Sequence, residues 1–65
     1  MAGENLVTIP YDEELADKEF AIKFRVGEVD TWIPKSQIED HDLNEKTFTV
    51  PQWLALEHGL EAYID

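Results

Sequence analysis

The residue types best suited to chemistry gather in one short stretch, Glu39-Asp40-His41-Asp42, with Glu45 close behind. An imidazole among carboxylates is a set of potential metal ligands. The stretch lacks the ordered oxygen spacing and the glycine of a calcium loop, and one histidine with carboxylates on a polar connector makes a poor zinc site. A solvated loop without metal is expected. A metal-assisted enzyme using Asp40, His41 and Asp42 is the alternative. Ser36 is the nearest hydroxyl, but His41 would have to fold back to activate it. His58 reads as a cation at a helix C-terminus, where the dipole favours it. With no cysteine and no glycine-rich phosphate loop, the sequence supplies no coherent catalytic set. No enzyme activity and no cofactor are expected.

Fifteen acidic residues against five basic ones give a formal charge of −10 over 65 residues. The acid falls in two runs: Asp12, Glu13, Glu14 and Asp17 with Glu19, then Asp40, Asp42 and Glu45 with Glu39. The cations Lys18, Lys23, Arg25, Lys35 and Lys46 are scattered. Such a field repels phosphate backbones and anionic lipid, so direct nucleic-acid and membrane binding are disfavoured, and a protein with a basic surface is the electrostatically easier partner. The runs serve solubility or, as a function, imitate nucleic-acid phosphates. Self-repulsion makes a monomer the expected state.

A chain of this length buries only about 60% of its unfolded surface, so a single domain spanning 1–65, ordered over about 6–64, is expected to be marginally stable. Without a disulfide framework the aromatics and aliphatics must hold it. No apolar run approaches the length of a membrane span, and Met1-Ala2-Gly3-Glu4-Asn5 lacks the pattern of a signal peptide, so a cytoplasmic location is expected.

Alternation sets the elements. Val7, Ile9 and Tyr11 share one face of an edge strand over residues 6 to 11, where Pro10 is tolerated. Residues 12 to 19 read as a charged loop or one helical turn. Phe20, Ile22, Phe24 and Val26 alternate with Ala21, Lys23 and Arg25 in a central strand, and Gly27-Glu28 suits a type II′ turn into a second strand. There Val29, Thr31 and Ile33 share one face and Trp32 takes the other. Pro34 ends regular pairing, and Ser36 and Glu39 have capping-box spacing, so a helical turn or a kinked strand follows. Residues 39 to 45 read as a connector. Residues 47 to 50 form a strand with Phe48 and Val50 inward. Pro51 and Gly59 bracket a helix over Gln52 to Glu57, with Trp53 and Leu56 on one side and Leu60 folding back on Leu54 or Ala55 as in a Schellman cap. Residues 61–65 read as a final short strand. The fold class is α+β, mainly β: a small antiparallel sheet on a central hairpin with one short C-terminal helix. An SH3-like partial barrel is the alternative.

Trp32 and Trp53 read first as core residues joining hairpin to helix. Alternatively Trp32, with Lys35 alongside, anchors a partner surface.

Trp32-Ile33-Pro34-Lys35-Ser36-Gln37-Ile38-Glu39, followed by Val50-Pro51-Gln52-Trp53-Leu54-Ala55 and Gly59-Leu60, resembles a family of small proteins of tailed bacteriophages and prophages. The resemblance covers roughly residues 18 to 60. Where members often carry Lys-Ala before the hairpin, this chain has Lys18-Glu19-Phe20-Ala21. The family has no activity to transfer to any residue. The resemblance implies a phage setting, in which many small acidic proteins bind a host or phage protein. The expectation is a binding module that inhibits or regulates a nucleic-acid-handling protein through its basic surface. The alternatives are the metal-assisted enzyme and a structural component of the phage particle.

Overall fold

The computed structural model describes residues 5–64. The N-terminal pattern read over Met1 to Glu4, and Asp65, lie outside the described residues. Six strands and one α-helix follow in order: β1 (Leu6–Pro10), β2 (Glu13–Asp17), β3 (Ala21–Val26), β4 (Val29–Pro34), β5 (Asp40–Asp42), β6 (Thr47–Pro51) and α1 (Gln52–Glu57). Short 3₁₀ turns occupy Lys35–Gln37 and Glu61–Tyr63. Two antiparallel three-stranded sheets result, ordered β1-β6-β5 and β2-β3-β4. The α+β, mainly β class expected from alternation is the class observed. Pairing stays within each sheet among the described residues, so the strands form two facing layers and not one continuous barrel ladder.

The layers meet through aromatic rings. Phe24 of β3 stacks on Phe48 of β6 with centroids 4.4 Å apart and planes 9° from parallel, and Tyr11 lies 4.6 Å from Phe24. Ile9, Val26, Ile33, Val50 and Leu60 complete a fully buried core. Burial of each such side chain contributes about 1.5–3 kcal/mol relative to exposure. Without a disulfide, this core carries the stability.

The β3–β4 hairpin has the anticipated register, with Val26 opposite Val29 and Ile22 opposite Ile33. Gly27 sits at φ 60° and Glu28 does not share a positive φ, as a II′ turn requires. At the other end, α1 stops where Gly59 takes φ 74°. The Leu60 N–H then bonds the Ala55 carbonyl at 2.8 Å, and the Gly59 N–H bonds the Leu56 carbonyl at 3.2 Å. This is the Schellman pair, and it seats Leu60 in the core.

Five expectations need correction. Residues 13–17 form a strand, not a loop or helical turn: β2 pairs with β3 and carries a bulge between Glu14 and Ala16, so pairing along the available β3 edge overrides the charged composition. Asp40–Asp42 likewise forms a strand paired with β6. Phe20 lies just before β3 and is 78% exposed. Its alternation with Ile22 is lost because the strand starts at Ala21. Residues 61–63 form a 3₁₀ turn, not a strand. The turn after Pro34 is present, but no side chain caps it, so the Ser36/Glu39 capping box does not form.

Candidate functional site

The two acidic runs fall on and around β2 and β5, each an edge strand of its sheet. Along β5, alternation turns His41 inward opposite Phe48, while Asp40 and Asp42 lie opposite Thr49 and Thr47 on the outer face. On β2, Glu14 lies opposite Phe24 and faces the interior side. The runs therefore meet at one junction. Tyr11 Oη and His41 Nε2 share a hydrogen bond of 3.1 Å, Glu14 Oε1 stands 3.6 Å from the same nitrogen, and the imidazole meets Phe24 edge-on. Burial, reinforced by the negative charges of Glu14 and Asp42, holds the Tyr11 hydroxyl above its ordinary pKa of 10.0.

Several carboxylates expected to face a partner are already engaged within the fold. Asp12 Oδ2 accepts the Gly27 N–H at 2.9 Å, which ties the start of β2 to the hairpin turn. Asp42 Oδ1 accepts the N–H groups of Asn44 and Glu45 at 2.9 and 3.0 Å, shaping the β5–β6 turn. Asp17 pairs with Lys35 at 2.7 Å, and Glu13 lies 4.0 Å from Arg25. These last two are exposed pairs of little energetic weight. Glu13, Asp40 and Glu45 remain exposed, with Asp40 and Glu45 projecting from the β5–β6 side.

Alternation also separates the Asp40-His41-Asp42 triplet, sending the imidazole in and both aspartates out. Among the described residues no three His, Asp or Glu side chains are placed to hold a metal ion. No cleft that would seat a small substrate opens at the Tyr11–His41 junction among those residues. Ser36 lies exposed on the 3₁₀ turn, while the His41 Nε2 contacts are Tyr11 and Glu14. The other histidine, His58, bonds Thr31 Oγ1 through Nδ1 at 2.7 Å, so it fastens the end of α1 to β4.

Trp32 and Trp53 are 42% and 48% exposed, and neither is the core staple first expected. Leu54 and Ala55 are the buried positions of α1, and Trp53 and Leu56 face out. Trp32 projects from the outer face of β4, as alternation requires. The cation over its ring is Lys23, its cross-strand partner, at 5.9 Å. Lys35, expected alongside Trp32 on a partner surface, instead pairs with Asp17. Next to Trp32 on that face, Arg25 Nε donates to Asp30 Oδ1 at 3.0 Å, and this bond holds the Asp30 pKa below the ordinary 3.8.

Sequence reasoning missed the junction. Tyr11 was placed in the core with no polar role, and His41 on a loop. The available signal was the period-two pattern of Asp40-His41-Asp42 followed by the turn-forming Asn44. No helix among the described residues is long and apolar enough to cross a membrane. The chain matches no family model, no curated protein and no solved structure.

Proposed function

We propose that this chain is a small acidic binding module of phage type that inhibits or regulates a nucleic-acid-handling protein, of host or phage origin, by occupying its basic surface. The observation that carries the reading is the contact between β2 and β5 at Glu14 and His41. Two acidic runs far apart in the chain come into contact where Glu14 of β2 stands 3.6 Å from His41 of β5. A folded acidic edge can enter a groove shaped for phosphates without the ordering cost of a disordered acidic tail, and complementary charge accelerates the encounter. In this reading the module works as a monomer in the host cytoplasm, because a charge of −10 opposes self-association.

The test is capture of partners from a bacterial host lysate, followed by a salt series on any partner found. The triple neutralisation Glu13→Gln, Asp40→Asn, Glu45→Gln leaves the structural contacts of Asp12 and Asp42 intact. It should weaken binding by roughly tenfold or more. Affinity should fall steeply with salt. Salt-insensitive binding that Trp32→Ala abolishes would transfer recognition to the aromatic face and sink the acidic-edge reading.

A further inference from the structure

Among the described residues no strand pairs with the outer edge of β4. In the β2-β3-β4 sheet, β4 is bonded on one side only. The two-residue turn makes Val26 and Val29 a hydrogen-bonded pair, and the Lys35 N–H to Phe20 carbonyl bond of 2.9 Å fixes the same phase at the far end. Between these anchors Thr31 and Ile33 bond to β3, whereas Asp30, Trp32 and Pro34 aim their backbone groups away from it. Pro34 has no N–H to leave unpaired. Asp30 and Trp32 each present an N–H and a C=O with no backbone partner among the described residues. Both side chains are exposed on the outer face.

We propose that this edge binds an extended segment of the partner protein by strand addition, and that the segment carries a large apolar residue followed two positions later by Lys or Arg. In an antiparallel approach one partner residue lies opposite Trp32 and the next but one opposite Asp30. The first packs on the indole. The second adds a cation to the Asp30 carboxylate, whose oxygens have acceptor capacity beyond the two Arg25 contacts at 3.0 and 3.5 Å. Whole-molecule charge selects the occupant: at −10 a second copy of the chain is repelled and a basic segment is drawn in. The inference rests on the proposed basic protein partner and adds a second contact to the acidic edge.

The probe is a blocked hexapeptide, Thr-Phe-Thr-Lys-Thr-Val, with two controls: Glu in place of Lys, and N-methylation at Phe. Amide exchange is read by NMR on the ¹⁵N-labelled protein. The Lys peptide should slow exchange at Asp30 and Trp32 roughly tenfold or more, and both controls should lose most of that protection. Trp32→Ala keeps the outward N–H and should retain part of the effect. Trp32→Pro removes that N–H without removing a β3–β4 bond and should abolish it, with circular dichroism checking that each variant is folded. If Glu13, Asp40 and Glu45 resonances shift while the Asp30 and Trp32 amides stay unprotected, the strand site is refuted and the acidic-edge reading stands. If no resonance moves at millimolar peptide, the strand site is likewise refuted, and lysate capture alone decides the acidic-edge reading. Protection that appears without peptide and grows with protein concentration means that a second copy takes the edge, which also overturns the proposal.

Discussion

Gly27 and Gly59 both adopt positive φ, at 60° and 74°, but their surroundings differ. A Cβ at Gly27 would overlap the ring of Tyr63, whereas at Gly59 it would meet nothing within 4 Å. Gly59→Ala should therefore cost only the left-handed backbone penalty, about 1–2 kcal/mol. Gly27→Ala should cost more, because it also displaces Tyr63, and denaturant titration of the two variants should rank them in that order. Tyr11 gives a pH signature. Its hydroxyl has a raised pKa in the folded state, so folding favours the neutral phenol. The associated stability is complete below the ordinary value of 10.0 and is lost as pH rises through the higher folded value. Tyr11→Phe should lose about 1 kcal/mol at neutral pH with the His41 hydrogen bond, and its alkaline decline should be shallower than that of the parent chain. Melting curves from pH 8 to 11 check both.

At the level of elements, the strands differ in how plainly the chain announces them. β3 and β4 were legible because Ile22, Phe24 and Val26, then Val29, Thr31 and Ile33, keep period two, with Lys23, Arg25, Asp30 and Trp32 between them. The same holds for Phe48 and Val50. α1 was legible to the residue because Pro51 and Gly59 mark its ends. β2 and β5 were not, since Glu13-Glu14 and Asp40-His41-Asp42 place charge on both sides of the strand and the inward Glu14 and His41 satisfy each other only across the junction. A pairing that depends on a residue far along the chain leaves no local pattern. Alternation does put Trp32 on the outer face, and what fails is the core role expected from aromatic type for Trp32 and Trp53, both exposed. The β5–β6 turn yields a contrast. Asp42→Ala leaves the N–H groups of Asn44 and Glu45 without their acceptor and should cost about 1–2 kcal/mol. Asp40→Ala, on an exposed residue with no such bond, should be near neutral by thermal denaturation.

For the whole molecule, charge acts on folding and on binding with opposite signs. Self-repulsion at −10 destabilises the compact state, so raising sodium chloride from about 10 mM to about 500 mM, which shortens the screening length roughly from 30 to 4 Å, should raise Tm. The same change should weaken capture of a basic partner. If Tm is flat while binding still falls, the local pairs of Arg25 and Lys35 already offset the repulsion.

The register of β1 also imposes an order in time. Leu6 pairs with Pro51 and Val7 with Val50, so the earliest strand in the chain cannot find its partner until nearly all of the chain is present. The β2-β3-β4 meander closes through short turns and has no such wait. Local pairings form first because long loops must lose more entropy before contacts compensate. During synthesis, therefore, the hairpin that carries Trp32 exists before the layer that covers it. Until β6 arrives, Ile9, Ile22 and Phe24 lack Phe48 and Val50 to cover them, and this interval is when the nascent chain is most open to unwanted association.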